Sequence, residues 1–515
     1  VKKVSKVDLQ LVRFRFAISA ISNTLKSLLG FITTLIIARA LGAHLYGNFV
    51  FLVGFFCAYR SFSDLGTSRA FYYFITQRSR SAKFIAAYFL WLAVQCLIPV
   101  ILIGFILPHS LINFVWVGLP KWLIVLAFLA IFLRDQAWQI IISLFESKRL
   151  THKIQPINFG TAIVHLLAVL FLIWVHLFNL KILFGLIVVE YFIFMCFGLG
   201  LFIKDSYNKS FQAVIPEGFI TAFKGYCVYC IPLIWFAVLT FFYSLADRWF
   251  LQHYSGSVAQ AYYGIGAYFS NGCLIATTSI LNVFIKEISE ANYQKNIARM
   301  KHLYTKAMVF LFMLTAVLIG ALVPWSKFIV AKILGPSYVA GYIAFAIMLL
   351  FPVHQTMDSI CQSMYYATGD TKTVAFILSI FRIISIPVSF FVLATPTAFI
   401  PALHSGAVGL AIKMVVLNIL TVNAMAWVIA RKNNWRFMWE FQVFGFIFVL
   451  LIGFMFKFLI GLLDLPVLVQ FGASLCCYLL FFGMVGFRYP MLFGLQQQEV
   501  NDIFRSFCFF LKKKN

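Results

Sequence analysis

The stretch IARALGAHLYGNFVFLVGFFCAYRSFSDLGTSRAFYYF, residues 37–74, decides how the chain is read. An apolar helix ends in Ala38-Arg39-Ala40-Leu41-Gly42, and a tight turn is expected at Tyr46-Gly47. A second helix then carries Arg60 and Asp64 one helical turn apart, and stops in Asp64-Leu65-Gly66-Thr67-Ser68-Arg69. The charges are the informative residues, because the apolar sequence around them disfavours any charge at all.

The composition explains those surroundings. Of 515 residues, 63% are hydrophobic and 11% charged, against about a quarter charged in a soluble protein; the mean hydropathy is +0.94. No soluble core buries that much apolar surface, so the chain reads as an all-α polytopic membrane protein. Helices satisfy their own backbone within the bilayer, and the alternation of a barrel strand is absent. With about 20 apolar residues per span, about fourteen transmembrane helices are expected. The least distinct boundaries are the split near Asn179-Leu180-Lys181 and the turn at Asp464-Leu465-Pro466.

The formal charge of +25 does not indicate nucleic acid. The Lys and Arg residues cluster in every other loop, for example Arg78, Arg80 and Lys83, then Lys148, Arg149 and Lys153, then Arg431, Lys432 and Arg436. The intervening loops, such as 108–120 and 395–406, are nearly bare. By the positive-inside rule the basic set is cytoplasmic, and both termini fall on that side. The basic N-terminus (Lys2, Lys3, Lys6, Arg13, Arg15) leads into a retained first span, since no small-residue cleavage site follows a short apolar region. No loop is large enough for a catalytic domain, and no G-x-x-x-x-G-K-[ST] phosphate loop is present. The ten cysteines lie in or beside apolar segments; Cys227-Val228-Tyr229-Cys230 has neither a second pair nor a nearby His to make a metal site.

A faint repeat sets Tyr46-Gly47 of the second span against Tyr263-Gly264 of the eighth, six spans later. An even offset implies a parallel repeat about an axis along the membrane normal, with a substrate path between the halves. The expected organisation is an N-lobe over 1–212 (helices 1–6) and a C-lobe over 213–434 (helices 7–12), followed by helices 13–14 over 435–487. Residues 488–515 form a basic tail, whose Val500, Ile503, Phe504, Phe507 and Leu511 precede Lys512-Lys513-Lys514 and suggest an amphipathic helix on an anionic leaflet.

An ionised side chain at mid-bilayer costs at least ~2.5–3.5 kcal/mol on insertion scales, so it faces water or a partner. The interior set here is Lys26, Arg60, Asp64, Arg134, Asp135, Glu190, Asp247, Arg248, Asp358, Arg382 and Lys413. Two readings compete. In one, these are structural pairs: Arg60 with Asp64, Arg134 with Asp135, Asp247 with Arg248. In the other, Lys26, Arg60, Arg134, Arg248, Arg382 and Lys413 line a wet cavity built for an anion. Lys26, Arg382 and Lys413 have no adjacent acid on their own helices, and the Arg fork suits phosphate. Asp64, Glu190 and Asp358 are candidates for H+ or Na+ coupling, because a desolvated carboxylate loads and releases protons; Glu190 and Asp358 equally suit pairs with a base on a neighbouring helix. His165 and His176 form no metal cluster.

Arg39-Ala40-Leu41-Gly42, Tyr46-Gly47, Asp64-Leu65-Gly66, Asp247-Arg248 and Tyr263-Gly264 resemble the corresponding segments of Wzx-type polysaccharide flippases. These belong to the multidrug/oligosaccharidyl-lipid/polysaccharide (MOP) exporter superfamily. The six-plus-six-plus-two layout agrees. The resemblance implies a flippase, not an enzyme, that needs no cofactor and moves undecaprenyl-diphosphate-linked oligosaccharide (an O-antigen or capsule repeat unit) from the cytoplasmic to the periplasmic leaflet of a bacterial inner membrane. Its partners would be membrane lipids, a glycan polymerase and a chain-length regulator. The alternatives are a lipid II flippase of the same fold, a drug or cation antiporter with an acid-rich cavity, and a membrane-embedded glycan polymerase or ligase, which would need a large periplasmic loop.

Overall fold

The computed structural model describes residues 6–77, 80, 82–208 and 219–499. The expected C-terminal amphipathic segment lies outside the described residues, as do Lys2, Lys3, Arg78 and Lys209. Every regular element among the described residues is helical. In chain order these are α1 (Lys6–Asp64), α2 (Thr67–Gln77), α3 (Ala82–Ile101), α4 (His109–Val115), α5 (Lys121–Ile131), α6 (Trp138–Ser147), α7 (Thr151–Trp174), α8 (Leu180–Asn208) and α9 (Phe219–Tyr293). Then follow α10 (Ile297–Leu322), α11 (Ser326–Ile329), α12 (Tyr342–Met348), α13 (Phe351–Thr368), α14 (Thr371–Leu393), α15 (Gly406–Lys432), α16 (Glu440–Gly461) and α17 (Val467–Arg488).

Twelve helical runs among the described residues are long and apolar enough to cross a membrane. The two longest far exceed one crossing. Ile21–Asp64 has 44 residues, ~66 Å at 1.5 Å per residue, against ~30 Å of hydrocarbon; Ile234–Leu274 has 41. Each is broken by one glycine in almost the same conformation, Gly42 at φ 69°, ψ 170° and Gly256 at φ 78°, ψ 178°. Only glycine enters this region readily. Dividing both runs there yields the fourteen expected spans.

The break at Gly42 corrects the expected turn at Tyr46-Gly47. That dipeptide is helical and buried. Gly47 is needed for space, since a Cβ there would run into the backbone carbonyl of Ser257. Gly42 and Gly256 thus break two overlong helical runs with matching backbone conformations.

The break after Asp64 falls where the sequence places it. Leu65 and Gly66 take positive φ (46° and 83°), and α2 starts at Thr67. Between α5 and α6 the chain widens into a π-helical turn over Phe132–Ala137. Such turns recur at functional sites, and this one contains Arg134 and Asp135.

The chain divides into two compact units, 1–261 and 262–515. In the first, α1 packs against α7, α5 against α8, and α6 against both α7 and α8. Residues 219–261 belong to this unit: Gln252 donates to Asn48 (3.0 Å), and Arg248 donates to the Val50 carbonyl (3.5 Å). In the second unit α10, α12 and α13 pack with α15 or one another, and α16 and α17 lie on α10.

Candidate functional site

Unit 1 gathers four of the six predicted basic residues around one carboxylate. Arg134 grips the Asp135 carboxylate with two parallel bonds, Nε to Oδ1 and Nη2 to Oδ2, both 2.9 Å. Adjacent residues on a regular helix point about 100° apart; the wide turn at 132–137 accommodates the pairing. Arg60, from the second half of α1, donates to the Asp135 backbone carbonyl at 2.6 Å. The Cys57 thiol, one turn earlier on α1, points at Asp135 Oδ2 (3.7 Å) and feels the charges of Arg60, Arg134 and Arg248. Lys26 donates to Asn158 Oδ1 on α7 (2.6 Å) and lies within electrostatic range of Asp135 and Arg134. Asn158 also accepts from the Trp138 indole at 3.0 Å, so its amide is held from two sides.

Arg248 reaches this group because Gly54 makes way for it: the space a Cβ would fill at Gly54 holds the Arg248 δ-carbon and guanidinium. Below the charges runs a neutral ladder. Gln136 donates to Gln95 (2.7 Å), and Gln95 donates to the Ser63 carbonyl (2.8 Å).

A cavity of about 330 Å³ opens beside the cluster, at the small end of the ~300–1,000 Å³ range of ligand pockets. Its polar wall includes Arg60, Asp64, Arg69, Asp135 and Gln139, and Thr240 of α9 closes one side. Arg60 and Asp135 thus face open space rather than packed apolar side chains. A second cavity, about 420 Å³, lies in unit 2 at the connection from α15 to α16, with Lys301, Trp435, Arg436 and Phe441 in its wall. It contains none of the predicted site residues, and Arg436 there is paired with Glu440 at 2.6 Å.

Several expectations resolve differently. The Arg60–Asp64 pair does not form. Asp64 Oδ1 instead accepts from the Ser68 amide (3.0 Å), the Ser68 hydroxyl (2.6 Å) and Thr67 (3.0 Å), capping the start of α2. The cause is the chain break at Leu65-Gly66, which presents the unpaired amides of a helix start directly to that carboxylate. The Arg134–Asp135 pair forms as read. Glu190 of α8 finds its base on the neighbouring helix: His165 Nδ1 lies 2.7 Å from Glu190 Oε2. Sequence reading left His165 without a role; the two residues are 25 positions apart, and only the packing of α7 on α8 joins them.

The remaining candidates belong to unit 2. Asp358 is buried on α13 and accepts on Oδ2 from Gln355 (2.9 Å) and Gln362 (2.7 Å), the polar stripe expected from their spacing. Arg382 of α14 acts on it electrostatically. Lys413 is buried in α15, with its ammonium 3.9 Å from the Met414 sulfur.

In the unit 1 cluster guanidinium and ammonium donors gather near one carboxylate, and Arg60 and Asp135 of that cluster stand in the wall of the cavity. No group of three or more His, Cys, Asp or Glu among the described residues is arranged to hold a metal ion.

No family model matches the chain, and no curated protein matches it. Solved structures that share its fold include two transport proteins. One is the lipid II flippase MurJ in an inward closed conformation, 16% identical, with a TM-score of 0.67 over 90% of this chain and 98% of that one. The other is an inward-facing multidrug resistance MATE family transporter of the MOP superfamily, 13% identical, with a TM-score of 0.56 over 79% of this chain and 96% of that one. The chain has the fold of MOP-superfamily transporters, in a multi-pass membrane protein.

Proposed function

We propose that this chain is a lipid flippase that carries an undecaprenyl-diphosphate-linked oligosaccharide from the cytoplasmic to the periplasmic leaflet of a bacterial inner membrane, by alternating access and without enzymatic chemistry. The physical problem is a diphosphate with several sugars attached. The lipid tails are at home in hydrocarbon, but the head cannot cross it. Lys26, Arg60, Arg134 and Arg248 take the diphosphate; Arg382 and Lys413, in unit 2, are further candidates for diphosphate or acidic-sugar contacts. The tails remain in lipid. Outward movement of an anion is favoured by an inside-negative potential, by ~2.3 kcal/mol per charge per 100 mV.

The observation that carries this reading is Arg60, half-buried among membrane-spanning helices and bonded to a backbone carbonyl rather than an acid, in the wall of a polar cavity. Structural pairing alone does not require that cavity. A drug or cation antiporter would call for an excess of acids there, whereas the cluster is basic.

The test is surface polysaccharide. Arg60→Ala and Arg382→Ala should each abolish it with the membrane content of the protein unchanged. Normal surface polymer in both variants would overturn the anion site. A second reading, transport of lipid II, is favoured by the fold shared with MurJ over 90% of this chain. Depletion separates the two: lysis indicates lipid II, whereas loss of a dispensable glycan indicates the oligosaccharide repeat unit.

A further inference from the structure

The larger cavity, about 420 Å³, lies wholly within unit 2, and the proposed function makes no use of it. Three helices meet there at one membrane boundary. α10 begins, α15 ends and α16 starts, and residues 433–439 join the last two. The inner wall is apolar. Ala426 and Ala430 of α15 are small and buried, so they leave space between the helices. Tyr304 and Met308 of α10 are buried on the other side, and Trp435 lies against Tyr304 with ring centroids 5.7 Å apart. The mouth is charged. Lys301 is exposed in its wall, while Arg436 and Glu440 pair at 2.6 Å and offset each other. The charged residues of this wall therefore sum to one positive charge. Next to them α16 presents a lipid-facing surface, with Trp439 52% and Phe444 68% exposed.

We infer that this cavity binds a phospholipid with a single negative charge, of the phosphatidylglycerol class, with its phosphate on Lys301 and one acyl chain between Tyr304, Met308, Ala430 and Trp435. The inference is independent of the anion-site reading. A slot that is apolar inside and basic at the membrane boundary matches an amphiphile end for end. The chain supplies dispersion contacts to walls that line the slot on both sides, and basic pockets between membrane helices hold anionic head groups. Tryptophan is at home at that level of the bilayer. The positive-inside rule makes the leaflet the cytoplasmic one, since Arg431, Lys432 and Arg436 lie at this boundary. Charge decides among lipids. The ammonium of a zwitterionic head is repelled by Lys301, and the second charge of a diphosphate meets Glu440.

Trp435 stands in the wall and reports on the slot directly. The test places the full chain in nanodiscs of phosphatidylcholine in which a rising fraction of the lipid is phosphatidylglycerol with brominated acyl chains, because bromine quenches an indole that it touches. The difference in emission between wild type and Trp435→Phe isolates this residue from the other tryptophans. Brominated phosphatidylglycerol should quench Trp435 at several-fold lower fractions than brominated phosphatidylcholine. Lys301→Gln, at an exposed position, should raise the fraction needed about fivefold. Thr305→Phe fills the slot from α10 and should remove the quenching. Farnesyl diphosphate added alongside should leave the quenching in place. Equal quenching by the two lipids, an unchanged curve in Lys301→Gln, or full quenching in Thr305→Phe would overturn the phospholipid site. Recovery of emission on adding farnesyl diphosphate would also overturn it, by assigning the slot to a diphosphate lipid.

Discussion

Arg134 and Asp135, neighbours in sequence, clasp each other through two 2.9 Å bonds inside a π-helical turn. This is the geometry in which a guanidinium takes a phosphate, and under the proposed function Asp135 is a placeholder for the anion. Removing its charge should free the fork. Asp135→Asn is expected to bind a diphosphate probe about tenfold tighter, one competing unit charge having gone from contact distance, and to release it more slowly. Equilibrium binding and a dissociation time course check both. Weaker binding would show that Asp135 positions Arg134 rather than competing for it.

Lys26 donates to Asn158, an acceptor it shares with the Trp138 indole. Asn158→Leu leaves an ammonium and an indole N–H facing hydrocarbon. The expected loss is about 1–3 kcal/mol per unsatisfied group, read as a lower melting temperature in detergent. Lys26→Met in the same background should recover part of it, because the buried charge is then gone. No recovery would mean that the asparagine matters for α7 packing and not for the lysine.

These residues show how far the sequence carries. Hydropathy is a sum over windows, so the spans, the stop after Asp64 and the turn before Val467 are legible without a structure. The bases within the spans are legible too, because charge inside an apolar run is conspicuous wherever it points. What is not legible is partnership between helices. Arg60 and Asp64 share a helix face and look like a pair, but the backbone break one residue later offers Asp64 free amides, and the nearer donors win. Glu190 and His165 carry no local signal of each other. Nor does hydropathy mark a kink in an unbroken apolar run; the sequence ends the first helix at Gly42, but Gly256 stands out only once its positive φ is seen.

Those two glycines support a matched prediction. Gly42→Ala and Gly256→Ala each force a Cβ into a conformation that costs about 1–3 kcal/mol, although nothing stands within 4 Å of either position. Both should lower the melting temperature without altering the charge or volume of the cavity. An unchanged melting temperature in both would mean that the helix rebends at another residue without penalty.

Outside the membrane, Asp370 joins the end of α15 to the start of α14 by accepting from Lys432 and, at 2.7 Å, from Thr373. The Lys432 bond, with that of Thr373, holds its carboxyl below the usual carboxylate range. A depressed folded-state value means stability that is present above the unfolded pKa of ~3.9 and lost as pH falls through the lowered one. The pair is well exposed, so its worth is at most about 1 kcal/mol. Asp370→Asn should melt slightly lower than wild type near neutral pH and converge with it in strong acid. Salt should narrow the gap at neutral pH. A gap that persists in strong acid would assign the effect to the helix start rather than to the ion pair.

Gly47 and Gly54 lie two turns apart on α1 and separate packing from function. A methyl at Gly47 meets the Ser257 backbone, which cannot yield without moving α9. Gly47→Ala should therefore cost about 1–3 kcal/mol, the usual penalty of overpacking, and lower the melting temperature. A methyl at Gly54 meets only the Arg248 side chain, a flexible arm that can swing aside. Gly54→Ala should leave the melting temperature close to wild type yet weaken diphosphate binding as Arg248→Ala does, because the guanidinium no longer reaches the cluster. If Gly54→Ala binds normally while Arg248→Ala does not, Arg248 has a second route to the anion. If both bind normally, Arg248 is a packing residue and the anion site shrinks to Lys26, Arg60 and Arg134.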